Sequence, residues 1–154
     1  VTSNRLQKIM QSNHIPISLL PNNSTMRKVT LSNNVSLYTS PYHSNENNKS
    51  LSLVLETDNK ICILPGDMRY QNINQILQQT NINNKDIILI VPHHGGDAGD
   101  IRTIRNYKFS QAAISVGPFQ THHHPNPRVI NALQNCVQNI QTTFNTSTDI
   151  TITL

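Results

Sequence analysis

The chain has 154 residues, 13% of them charged and 36% hydrophobic, with a formal net charge of +4. That length makes one domain with room for a real core, and the small positive excess permits an anionic substrate without establishing one. Two cysteines exclude a disulfide framework, and no apolar run approaches the roughly 20 residues that span a bilayer.

Asn, Gln, Ser and Thr carry solubility here, interleaved with clear apolar runs rather than gathered into a low-complexity tract. No signal peptide is visible, so the expected compartment is the cytoplasm, although the first residue is Val rather than Met. Residues 1–13 hold Leu6, Ile9 and Met10 at helical spacing, a short amphipathic segment. Residues 29–38 alternate as one or two strands broken by a turn at Asn33-Asn34, and residues 41–49 read as a polar loop. Leu51-Ser52-Leu53-Val54-Leu55 and Lys60-Ile61-Cys62-Ile63-Leu64 flank Thr57-Asp58-Asn59, a hairpin signal.

Residues 70–79 place Ile73, Ile76 and Leu77 on one helical face, and residues 81–85 read as a turn. The run Ile87-Ile88-Leu89-Ile90-Val91 is apolar on every side, as a fully buried strand requires. Arg102, Arg105 and Lys108 form the densest basic group and read as a solvated face. Residues 112–116 predict another strand, entering a loop over 117–127. Asn126-Pro127 marks a helix start, and Val129, Ile130, Leu133, Val137 and Ile140 continue it as a helical stripe. Residues 141–154 read as a hairpin with its tip at 145–148. Cys62 falls in a strand pattern and Cys136 in the helical one, both as small buried hydrophobes. Strands alternating with helices predict an α/β layered fold.

The chemistry gathers at strand ends. One apolar run ends in Leu64-Pro65-Gly66-Asp67, another in Pro92-His93-His94-Gly95-Gly96, and a loop between a strand and a helix carries Thr121-His122-His123-His124-Pro125. Taken singly, Asp67 reads as a capping or turn residue, the histidine pair as one buried and one surface residue, and the third element as a polar loop. Taken together, three successive strand ends each present Asp or His at the edge where α/β sheets bind ligands. Cations that activate water need carboxylate and neutral imidazole ligands with an open position, and this donor set suits zinc while leaving manganese and iron open.

The order Asn45-Glu46-Asn47-Asn48-Lys49-Ser50, the strand 51–55, Leu64-Pro65-Gly66-Asp67, Ile90-Val91-Pro92-His93-His94-Gly95-Gly96, Ile114-Ser115-Val116-Gly117 and His124-Pro125-Asn126-Pro127 resembles the C-terminal half of a metallo-β-lactamase-fold hydrolase. Among such hydrolases it is most similar to the nuclease-like domain of the ComEC competence proteins and to the related phosphorylcholine esterases. The resemblance covers residues 29–154. It implies an αββα sandwich of which this chain, a single incomplete domain over 1–154, supplies the C-terminal half and part of the first sheet. It also implies that Asp67 is the carboxylate bridging one or two divalent ions and that His93 or His94 is the last histidine ligand, His93 preferred because it continues the strand. His124 would meet the substrate or its leaving group. Asn47 and Asn48 stand where many members of the wider fold place a metal histidine, and an amide is a poor substitute.

The resemblance has one large gap. The signature His-x-His-x-Asp-His, which supplies most of the metal shell from the N-terminal half of such a fold, occurs nowhere here, and His14 and His43 stand isolated. The chain therefore reads as part of a metal-dependent phosphodiesterase or nuclease using a metal-activated water. Its partners would be the N-terminal half of the fold, from the same gene or a separate chain, and a phosphodiester such as nucleic acid. The competing expectation is a catalytically inactive interaction or regulatory module of the same fold that has lost the motif. Aromatic residues total 5%, which leaves little for a base-stacking platform.

Overall fold

A computed structural model describes residues 25–41, 50–117, 123–143 and 149–154. The expectations for residues 1–13, for the loop over 42–49 and for the hairpin tip at 145–148 lie outside them. Seven strands form one mixed sheet in the order of the chain. They are β1 Arg27–Ser32, β2 Val35–Thr39, β3 Leu51–Glu56, β4 Lys60–Leu64, β5 Asp86–Ile90, β6 Phe109–Ile114 and β7 Val137–Thr142. The first four pair antiparallel, and β4 to β7 pair parallel. The turns at Asn33-Asn34 and at residues 57–59 fall where the sequence places them. Thr57 closes the second: its hydroxyl accepts from the Lys60 N–H at 3.0 Å.

Parallel neighbours need crossovers, and crossovers in one sheet are right-handed. Because β4, β5, β6 and β7 step across the sheet in one direction, each crossover lands on the same face. The helix α1 (Tyr70–Gln79) and the helix α2 (Pro127–Leu133) provide two of them, and a 3₁₀ turn over Ile101–Ile104 lies in the third. Ile73, Ile76 and Leu77 of α1, Ile104, and Val129 and Leu133 of α2 share a core with Ile61, Ile63, Leu89 and Ile114 of the sheet. Thr80 ends α1 by donating its hydroxyl to the Ile76 carbonyl at 2.8 Å, satisfying an orphan acceptor of the last turn.

The other face of the sheet carries no described helix and is also apolar. The register aligns Leu37 with Leu53 and Leu53 with Leu64, and Val35 with Leu55, Leu55 with Cys62 and Cys62 with Ile88. None of these joins the core beneath the helices. Leu51 on the same face is 52% exposed, and Leu31 on β1 is 59% exposed.

Three expectations need correction. The helical stripe through Ile140 breaks: α2 stops at Leu133, and Val137 onward becomes β7 beside β6. Val137 and Ile140 sit at helical spacing and fall on opposite faces of a strand, but both are β-branched, and the open edge of β6 decides for the strand. Cys136 accordingly lies in the turn before β7 rather than in a helix. The hairpin expected over 141–154 does not form, because Gln141 and Thr142 finish a strand paired with Ala113 and Ile114, and residues 149–154 carry no strand. That tail is tied down by the Lys60 ammonium, which donates to the Thr153 carbonyl at 2.7 Å. Strand β6 runs Phe109–Ile114 rather than 112–116; past its end the Val116 N–H donates to the Thr143 hydroxyl at 2.7 Å instead of to a ladder partner. The basic group is surface, as read: Arg102 is spent on Asp100, whose carboxyl its guanidinium holds below the usual range. Among the described residues no helix is long and apolar enough to cross a membrane.

Candidate active site

Parallel strands share one C-terminal edge, so β4, β5 and β6 deliver their following loops to the same place. Leu64 leads into Pro65-Gly66-Asp67, Ile90 into Val91-Pro92-His93-His94, and the segment 123–127 returns to that edge ahead of α2. Val91 still pairs across to β6, its N–H donating to the Ala113 carbonyl at 2.8 Å. His93 therefore does not continue the strand, as the sequence reading had it; it opens a turn of unusual hand.

His93 (φ 50°, ψ 34°) and His94 (φ 53°, ψ 31°) both occupy the left-handed region, followed by Gly95 at φ 79°. The Gly96 N–H closes this turn on the His93 carbonyl at 2.7 Å. Left-handed backbone is unfavourable by roughly 1–2 kcal/mol per non-glycine residue, so two in succession persist only where the surroundings dictate them. The surroundings do so here. A Cβ on Gly95 would stand 2.7 Å from Pro125 Cβ, and one on Gly96 would stand 2.5 Å from His124 Cε1 and 2.9 Å from its Nε2. The absence of those side chains lets the 124–125 segment lie directly on the turn, and the Asn126 N–H donates to the Gly95 carbonyl at 2.8 Å.

The left-handed turn aims two imidazoles differently. His93 places Nδ1 3.9 Å from Asp67 Oδ1, with its side chain 20% exposed and that of Asp67 52% exposed. That gap is too long for a hydrogen bond, yet within the span of roughly 3–4 Å that two ligands of one divalent ion can bridge. His94 instead donates from Nδ1 to the Ser115 carbonyl at 2.7 Å, which leaves Nε2 as its lone-pair atom when neutral. A backbone carbonyl on one ring nitrogen is the usual way a protein fixes a ligating imidazole's tautomer. The two loops are also joined through backbone, His93 N–H to the Gly66 carbonyl at 3.4 Å.

Asp67 and His93 thus come together, His124 packs on Gly96 beside them, and His94 is anchored on the loop that follows β6. Among the described residues no group of three or more His, Cys, Asp and Glu is arranged to hold a metal ion. The donors fit one side of a divalent-cation site and stop there: a carboxylate and an imidazole of the right chemistry, with fewer ligands than tight binding takes. Sequence reasoning did not assign the residues that build this corner through backbone. The Ser115 and Gly66 carbonyls have no side-chain signature, and Ser50 stood in a quoted motif with no role attached.

No family model matches the chain, and no solved structure does. Over 96 residues it is 33% identical to ComE operon protein 3 of Bacillus subtilis (strain 168), a match covering 61% of this chain and 12% of that protein. The chain therefore spans only a small part of the length of the curated relative it matches.

Proposed function

We propose that this chain carries one side of the active site of a divalent-cation-dependent phosphodiester hydrolase, the remaining ligands coming from an N-terminal half of a metallo-β-lactamase-like sandwich. The observation that carries the reading is the 3.9 Å approach of the Asp67 carboxylate to the His93 ring, at one sheet edge, from a turn of left-handed backbone. The apolar second face of the sheet supports the partner half: among the described residues it carries no helix, and Leu51 on it stays 52% exposed.

A bound divalent cation, zinc or manganese, would supply Lewis-acid polarisation of a phosphoryl oxygen and a nucleophilic water at neutral pH. Asp67 would hold it as an anionic ligand and His93 as a neutral one, with His94 Nε2 available from the adjacent position. His124, seated on Gly96, would steady the scissile group or give a proton to the leaving oxygen. Nucleic acid is the first substrate class to test, resting on family resemblance and a net charge of +4. Free, buried Cys62 and Cys136 are compatible with the cytoplasm as its compartment.

One observation favours a second reading, a regulatory or interaction module without activity: among the described residues only Asp67 and His93 converge. The two readings part on a phosphodiester assay of the longer protein that contains this chain. On the hydrolase reading, Asp67→Ala abolishes cation-dependent cleavage of bis(p-nitrophenyl) phosphate while leaving the melting temperature nearly unchanged, since that side chain is half exposed. His124→Ala lowers the rate by roughly 10²-fold or more with cation content retained. Undiminished turnover in Asp67→Ala at matched cation loading would remove Asp67 from the reaction, and equal loss of rate and cation in His124→Ala would make His124 a ligand.

A further inference from the structure

We propose that Ser50 is the positioning residue for Asp67, an inference that rests on the reading of Asp67 as a cation ligand. Strands β3 and β4 are paired from Leu53 and Leu64 back toward the hairpin, and their ladder ends there. Ser50 lies just before β3 and Asp67 beyond the end of β4, where no ladder bond holds the two chains. The Ser50 side chain takes over that duty. Its hydroxyl donates to the Pro65 carbonyl at 3.3 Å and accepts from the Asp67 N–H at 3.0 Å, bracketing the turn at both ends. Ser50 is itself held from behind, its carbonyl accepting from the Ser40 N–H at 3.0 Å.

Between the two bonds sits Gly66 at φ 58°, where an added Cβ would stand 2.8 Å from Ser50 Oγ. Glycine is needed for the left-handed conformation and for the approach of the hydroxyl. The turn is thus clamped from two sides, by Ser50 on the β3 side and by the His93 N–H on the Gly66 carbonyl from the β5 side. A carboxylate that is 52% exposed has little packing to direct it, so its backbone is what places it opposite His93. Outer partners that orient a ligand typically change metal affinity 10–100-fold when removed, although they never touch the ion.

The test uses the 154-residue chain labelled with ¹⁵N, metal-free and then titrated with Mn²⁺, comparing wild type with Ser50→Ala and Ser50→Thr. In the metal-free protein, Ser50→Ala should speed hydrogen exchange of the Asp67 amide about five- to tenfold, the loss of one modest hydrogen bond. Paramagnetic broadening at His93 should need about tenfold more Mn²⁺ in Ser50→Ala, and Ser50→Thr, which keeps the hydroxyl, should restore both readouts. Unchanged Asp67 exchange in Ser50→Ala overturns the positioning role whatever Mn²⁺ does. Faster exchange with unchanged Mn²⁺ dependence overturns its bearing on the cation. Absence of broadening at His93 in the wild type even at large Mn²⁺ excess, where a two-ligand site still fills, counts against the cation reading itself, and Asp67 exchange then judges Ser50 alone. A Ser50→Ala chain that melts far below wild type is judged on Ser50→Thr, whose failure to match wild-type exchange would refute the hydroxyl's part.

Discussion

The histidine pair carries backbone strain that a designer of a merely stable fold would avoid. His93 and His94 both sit at φ near 50°, and Gly95 follows at 79° where a Cβ would collide with Pro125 and Ile114. Gly95→Ala should therefore destabilise the protein by about 2–3 kcal/mol, from strain and displacement together, read as a lower denaturation midpoint at unchanged slope. A second prediction concerns Cys62, whose thiol burial pushes up from 9.0 to about 11. A raised folded value means the native state keeps its proton where the unfolded chain has lost it. That stability is complete below about pH 9 and disappears as the pH climbs through 11. Cys62→Val should melt with a shallower alkaline decline than wild type over that window; superimposable profiles would show that Cys62 does not govern it.

Elements ended where local chemistry ended them. Thr80 caps α1 through its hydroxyl, and Asn126 opens α2 by accepting the Arg128 N–H at 2.9 Å, with Pro127 at the first helical position. Because α2 has only seven residues, its cap matters in proportion. Asn126→Ala should cost about 1 kcal/mol, while Asn126→Asp, which still accepts, should come close to wild type in a chemical melt. The same two residues anchor the segment that bears His124, so the cap also holds a candidate site residue against Gly96. The helix-to-strand switch at residue 134 shows the limit of periodicity: a stripe read over four turns served only two, and an unpaired strand edge claimed the rest.

Among the described residues, one sheet face is covered by helices and the other, also apolar, carries none. Topology forces this, since four parallel strands laid down in sequence send every right-handed crossover to one side. The exposed Leu31 and Leu51 mark where that second face meets solvent. The isolated chain should bind a hydrophobic dye and self-associate. Leu37→Lys with Leu53→Lys should suppress both while preserving the helical signal in circular dichroism. On the proposed reading, an N-terminal half of the fold should, when added, suppress dye binding without those substitutions. Dye binding that survives the double substitution would place the sticky surface elsewhere.

Strand β1 through the hairpin of β3 and β4, helix α1 and the buried β5 were legible in the amino-acid order, because period and turn chemistry are local and agreed with each other. So was the placing of Asp and His at successive strand ends, since a sequence displays side chains directly. The approach of Asp67 to His93, the anchoring of His94 on Ser115, the clamp from Ser50 and the fate of residues 137–142 came only with the fold. Each depends on backbone groups or on a neighbouring strand edge, partners distant in sequence whose carbonyls and N–H groups look the same at every residue.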